Sequence, residues 1–135
     1  MKTKTLLMSA AAFLSFGNIA FAGDSELCIS ESGQSAVRYC KKACSLNDGL
    51  SCTFLGSFYL EGLGVKQDYK QAKTYFEKAC SLNDGLGCGF LGKQYEIGKG
   101  VKQNKKISKE YYGKACDLGL KEGCDDYRKL DQQGY

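Results

Sequence analysis

The chain has no histidine, no proline and no tryptophan in its 135 residues. Without histidine there is no Ser-His-Asp or Cys-His catalytic pair and no imidazole to hold a metal. Without proline there is no collagen-like, polyproline or proline-rich linker character. An excess of either charge is also missing. Nineteen basic against 15 acidic side chains leave a net +4, and no basic block marks a nucleic-acid groove. After the N-terminal segment no apolar run reaches the roughly 18 residues of a membrane-spanning helix, so no stable membrane insertion is expected. What remains is a chain sized for one domain, 43% hydrophobic, with eight cysteines and 17 glycines.

Residues 1–22, MKTKTLLMSAAAFLSFGNIAFA, read as a signal peptide. Lys2 and Lys4 form its positive start, an apolar stretch follows from Leu6, and Ala20-Phe21-Ala22 supplies the small-residue cleavage pattern. Cleavage is expected between Ala22 and Gly23. No cysteine follows that point directly, which argues against a lipoprotein. Losing two lysines leaves 113 residues with 17 basic and 15 acidic side chains, and all eight cysteines. An even cysteine count in a small exported chain predicts disulfides in a periplasmic or secreted protein.

Self-comparison exposes a period of 36 residues. Tyr39 to Ser57 reads YCKKACSLNDGLSCTFLGS, and Tyr75 to Lys93 reads YFEKACSLNDGLGCGFLGK. A third copy opens at Tyr111 as YYGKACDLGLKEGC. Each unit predicts two helices. Cys52, Leu55, Gly56 and Tyr59 follow i, i+3, i+4, i+7 spacing on a first helix. Gly62 and Gly64 end it, and Asp68 or Asn104 is placed to cap the second. Ala72, Tyr75, Phe76, Ala79 and Cys80 then share the buried side of that second helix, and Ser-Leu-Asn-Asp-Gly is turn chemistry. Gly56 and Gly92 leave room for close helix approach.

No strand pattern competes. The fold class is all-α: an α/α solenoid of about two full helix-turn-helix repeats with partial N- and C-terminal caps, stapled by disulfides. Units are expected near 23–50, 51–86 and 87–122, with a terminal cap at 123–135. In the cap, Arg128 stands where the other copies have Gly56 and Gly92. At the front only a partial second helix, about Gln34 to Leu46, is expected.

Eight cysteines allow 105 pairings in principle, and the repeat removes most of them. Cys44 closes one helix and Cys52 opens the next, antiparallel one, so a short turn brings them within reach. The same separation of eight recurs at Cys80–Cys88 and Cys116–Cys124, leaving Cys28 to pair with Cys40. A zinc knuckle fits only Cys40-x-x-x-Cys44, which is not repeated, and no Cys-x-x-Cys redox motif occurs. No metal and no cofactor are expected.

The pattern LGxxYxxGxGVKxDxxxAxxYxxKAC, from Leu55 to Cys80, resembles the Sel-one-like repeat, a relative of the tetratricopeptide repeat. A cysteine pair at fixed spacing in each unit resembles, more narrowly, the Helicobacter cysteine-rich protein family of exported repeat proteins. The likeness runs from about Ala36 to Tyr127. Sel-one-like proteins act mostly as scaffolds, which implies a binding role. The cysteine-rich family is also described as penicillin-binding with weak β-lactamase activity, which implies a β-lactam hydrolase as the alternative and β-lactams among its ligands. The sequence supplies no machinery for that chemistry: residues 23–135 contain no Ser-x-x-Lys, no Ser-Asp-Asn and no Lys-Thr-Gly. No catalytic residue can be named.

The first helices are expected to line a concave face. Phe54, Ser57 and Phe58 in one copy, and Phe90, Lys93 and Gln94 in the next, are the candidate ligand-binding residues for a peptide or cell-wall fragment; inter-unit packing is the competing role for the two phenylalanines. Gly62-Leu63-Gly64 and Gly98-Lys99-Gly100 lack phosphate-loop spacing and end helices. The run Lys102, Lys105, Lys106 and Lys109 reads as a solvated helix start. Asp125 and Asp126 are adjacent on a helix, so they point apart rather than forming an acid/base pair. The expected molecule is a monomeric binding scaffold, with a secreted host-interaction module as a further alternative.

Overall fold

A computed structural model describes residues 23–135. The signal peptide expected at residues 1–22 lies outside them. Among the described residues there are seven helices and no strand. Helix α1 covers residues 23–30. It is followed by α2 (Gly33–Ser45), α3 (Gly49–Glu61), α4 (Tyr69–Ser81), α5 (Gly85–Ile97), α6 (Lys105–Asp117) and α7 (Lys121–Gln132).

The turns repeat because their chemistry repeats. After α2 and α4 the chain reverses through Asn47 and Asn83, which hold φ of 67° and 62°. Asparagine tolerates this left-handed region better than most side chains. The third copy puts Gly119 there, with φ 94°. The altered sequence Leu118-Gly119-Leu120-Lys121 therefore keeps the same reversal. Helix starts are capped by side chains: Asp68 accepts from the Lys70 and Gln71 amides, Asp84 from Gly87, and Asn104 from Ile107. Asp48 instead accepts the hydroxyls of Ser25 and Ser51, each at 2.6 Å. At the opposite ends, Gln67 and Gln103 donate to the carbonyls of Leu60 and Glu96, each at 2.8 Å, closing α3 and α5. Gly64 is required twice over. Its φ is +71°, and a Cβ there would meet the Gly33 carbonyl at 2.5 Å.

The helices form two layers. Helix α3 touches α5 and α5 touches α7, whereas α2, α4 and α6 do not touch one another. The array therefore curves, with α3, α5 and α7 on its inner side. Phe76 and Tyr112 lie flat against the inner helices, where a Cβ on Gly56 would fall 2.6 Å from the Phe76 ring and one on Gly92 2.8 Å from the Tyr112 ring. Leu55, Leu91, Ala72 and Ala79 complete the buried seam. Two tyrosine stacks, Tyr59–Tyr75 at 5.6 Å and Tyr95–Tyr111 at 5.7 Å, recur one repeat apart.

Four disulfides staple the array: Cys28–Cys40, Cys44–Cys52, Cys80–Cys88 and Cys116–Cys124, with Cα separations of 4.6, 4.7, 4.6 and 4.5 Å. The front end differs from the sequence expectation, because helix α1 precedes α2. It has no copy elsewhere in the chain, so the repeat could not announce it. The Cys28–Cys40 bond, the Asp24–Lys42 ion pair at 2.9 Å and the Ser25–Asp48 hydrogen bond hold it in place. At the other end α7 closes the array. Leu130 is buried, Arg128 is exposed, and Lys109 bridges to Asp131 at 2.5 Å.

Candidate functional site

The six candidate residues do not share one surface. Phe54 and Phe58 pack against the core around Val37, Cys40 and Cys52, and the Ser57 hydroxyl donates back to the Thr53 carbonyl at 3.0 Å. All three keep part of their surface exposed. Gln94 is 2% exposed. Its amide nitrogen donates to the carbonyls of Tyr69 at 3.0 Å and Lys99 at 3.2 Å, so the side chain ties α5 to the loop beyond it and to the start of α4. Its Oε1 has no partner among the described residues.

Phe90 and Lys93 do face open space. Phe90 stacks one face on Phe76, with centroids 5.0 Å apart and planes within 13°, and is 38% exposed. It forms the wall between two hollows. The smaller, about 210 Å³, runs past Leu60, Tyr69 and Gln94. The larger, about 400 Å³, lies between α5 and α7 on the inner side, with Leu86, Leu120, Tyr112, Glu122 and Asp126 around it. That volume is in the range of small-ligand pockets.

The larger hollow has a polar margin with two unlike halves. On one side the Tyr112 hydroxyl donates to Glu96 at 2.5 Å, and Lys93 pairs with the same carboxylate at 3.4 Å. Burial opposes ionisation of Glu96, but the tyrosine hydroxyl and Lys93 outweigh it and lower its pKa. Tyr112 moves the other way, raised by burial and by its bond to Glu96. On the other side Asp126 is raised by burial and then by the negative charge of Glu96. Glu122 and Asp126 have neither an ion pair nor a side-chain hydrogen bond among the described residues. Among those residues no three metal-ligating side chains converge.

Comparison with known proteins gives this geometry its setting. The Sel1 repeat family matches residues 10–48, 49–84 and 86–120. The chain belongs to the Sel1 repeat family. Among solved Sel1-type structures it is similar to Helicobacter pylori cysteine rich protein B, at 46% identity and a TM-score of 0.66 over 68% of this chain and 69% of that one. A protective antigen of uropathogenic Escherichia coli, described as displaying an SLR fold, superposes with TM-score 0.71 and 29% identity, over 75% of this chain and 22% of the other. A Sel1 repeat protein from Oxalobacter formigenes gives TM-score 0.66 at 26% identity, over 70% and 71%. A protein of H. pylori named Beta-lactamase HcpA is 51% identical over 37 residues, which is 27% of this chain and only 15% of that protein's length.

Within the Sel1 frame, sequence reasoning missed Glu122, Asp126, Glu96 and Tyr112 as a group. The signal was available as a difference between copies. One repeat on from Leu50 and Leu86 stands Glu122, and one repeat on from Phe54 and Phe90 stands Asp126. The same alignment puts Gln94 level with Phe58, which is part-buried, and with Leu130, which is buried.

Proposed function

We propose that this Sel1 repeat protein is an exported scaffold that holds a peptide-like or cell-wall-derived ligand on its inner face, in the hollow beside Phe90. The observation that carries the reading is the hollow itself. An exposed aromatic face and two aliphatic side chains sit between charged groups, on the curved side where helical-repeat proteins present extended binding surfaces. Disulfides at both ends and in the middle fit a periplasmic or extracellular setting, where thiols oxidise.

The test is a titration of the oxidised, isotope-labelled protein with soluble cell-wall stem peptides and with blocked pentapeptides, followed by amide NMR shifts. Saturable shifts along Leu86–Lys93 and Leu120–Asp126 that disappear in Phe90→Ala support the reading. Flat titrations up to millimolar peptide, or shifts unaffected by Phe90→Ala, overturn it.

A β-lactam hydrolase is the second reading, favoured by the name of the H. pylori relative. The hydroxyl lining the hollow belongs to Tyr112, and burial together with its bond to Glu96 holds it protonated rather than activating it. Hydrolysis of a chromogenic β-lactam that tracks protein mass through successive purification steps would make turnover the primary activity. Hydrolysis that washes away leaves the scaffold.

A further inference from the structure

We propose that the hollow between α5 and α7 selects an arginine side chain of its ligand, with the guanidinium against Phe90 and paired to Glu122 and Asp126. This rests on the reading of the hollow as a peptide site and names what it selects.

The inference begins with how the hollow arises. Phe90 on α5 covers Phe76 on α4 as a stacked ring. One repeat further on the corresponding residues are Asp126 and Tyr112. A carboxylate is shorter than a phenyl group and cannot fill the place of the ring, and Glu122 likewise replaces the leucine of the earlier units. The space left over is walled by Leu86, Leu120 and Phe90.

An occupant has to satisfy both kinds of wall. The aliphatic side chains favour a hydrocarbon stem. The charges favour a cation at its tip, because Lys93 is already committed to Glu96, and Glu96 also accepts the Tyr112 hydroxyl. Glu122 and Asp126 have no such partners among the described residues. Asp126 is also held above the ordinary aspartate range by burial and by Glu96, which outweigh the opposing charges of Lys93 and Lys129, a condition that a cation paired directly to it would relieve. Arginine meets these requirements better than lysine, since its flat guanidinium lies on an aromatic face and still presents a fork of donors to carboxylates. An uncharged aromatic would fill the space but leave both carboxylates unpaired.

Three blocked pentapeptides, Ac-Ala-Ala-X-Ala-Ala-NH₂ with X as arginine, lysine or citrulline, test this by NMR titration of the oxidised protein at low salt. Citrulline keeps the shape of arginine and removes its charge. Arginine is expected to bind at least about fivefold more tightly than citrulline, and Asp126→Asn or Glu122→Gln to erase most of that margin. Both variants are near-isosteric, and circular dichroism checks that each keeps its helices. Equal binding by arginine and citrulline overturns the selectivity while the peptide site stands. Equal binding by lysine and arginine reduces the hollow to a general cation site and overturns the assignment to arginine. No binding by any of the three, in a protein that also ignores stem peptides, removes the peptide site and the inference with it.

Discussion

Helices α5 and α7 hold equivalent places one repeat apart but treat their inner faces in opposite ways. Helix α5 fills its face with Leu86 and Phe90 and seals Phe76 beneath a stacked ring. Helix α7 carries Glu122 and Asp126 at the matching positions, over a tyrosine that donates to Glu96. One plan serves cohesion and the other leaves a charged opening. A repeat array needs only its helix seams and turns to keep the plan, so the inner face of a terminal copy is free to diverge.

The largest effect should come from breaking the sealed half. Phe76→Ala removes a fully buried ring and is expected to cost about 3–5 kcal/mol in urea unfolding, against about 1–2 kcal/mol for the part-exposed Phe90→Ala. Similar losses at the two sites would mean that the part-exposed ring is held as tightly as the buried ring it covers.

The staples sharpen the contrast next. Cys80→Ser with Cys88→Ser should lower stability by about 2–3 kcal/mol on the chain-entropy account of a short closed loop. Exposure separates the staples further: Cys80 and Cys88 are buried, while Cys116 and Cys124 are part-exposed beside a hollow lined by Gly113 and Tyr127. Graded reduction followed by alkylation and mass spectrometry should therefore open Cys116–Cys124 first. Simultaneous opening of all four would show that global unfolding, not local access, controls reduction.

A smaller pair of changes acts at one repeat position with opposite chemistry. Gly92→Ala drives a Cβ to 2.8 Å from the Tyr112 ring and should cost about 1–3 kcal/mol despite the better helix former. At the exposed matching site Arg128→Gly should cost about 1 kcal/mol, mostly through helix propensity and little through the exposed pair to Asp125. Thermal unfolding of the two variants reads both.

The smallest effect is in the pH profile. Native Asp126 holds its proton more tightly than the unfolded chain does, because burial and then Glu96 raise its pKa. Stability from this group is thus present at acid pH and lost as pH rises from the ordinary aspartate range through the raised midpoint. Asp126→Asn should remove that loss, gaining under about 1 kcal/mol near neutrality and nothing at acid pH. Asp48, in the front half, works in the other sense. Burial opposes its ionisation, but the Ser25 and Ser51 hydroxyls prevail and lower its pKa, so its stability is lost as pH falls through its depressed native midpoint. A urea series at several pH values separates the two.

Much of what recurs every 36 residues was legible in the sequence: helix pairs, caps at Asp68 and Asn104, and close helix approach at Gly56 and Gly92. Equal spacing imposes equal geometry, and each copy corroborates the next. Helix α1 escaped because it has no copy. The larger hollow escaped because it is a departure from the repeat, visible only when Phe90 is set against Asp126. Gln94 was misleading for a related reason: a polar side chain occupies a core position, and its burial rests on carbonyls of Tyr69 and Lys99 that become neighbours only after folding.

Each cysteine in the array bonds the next cysteine along the chain, first to second, third to fourth, and so on to the last pair. Such wiring lets oxidation proceed pair by pair along the chain, with no bond enclosing or crossing another. The same wiring is indifferent to length. Deleting a whole 36-residue unit such as 51–86 removes one cysteine of each bond at its two borders and brings Cys44 and Cys88 to the same separation of eight. Such an array can therefore grow or shrink by whole units without stranding a thiol.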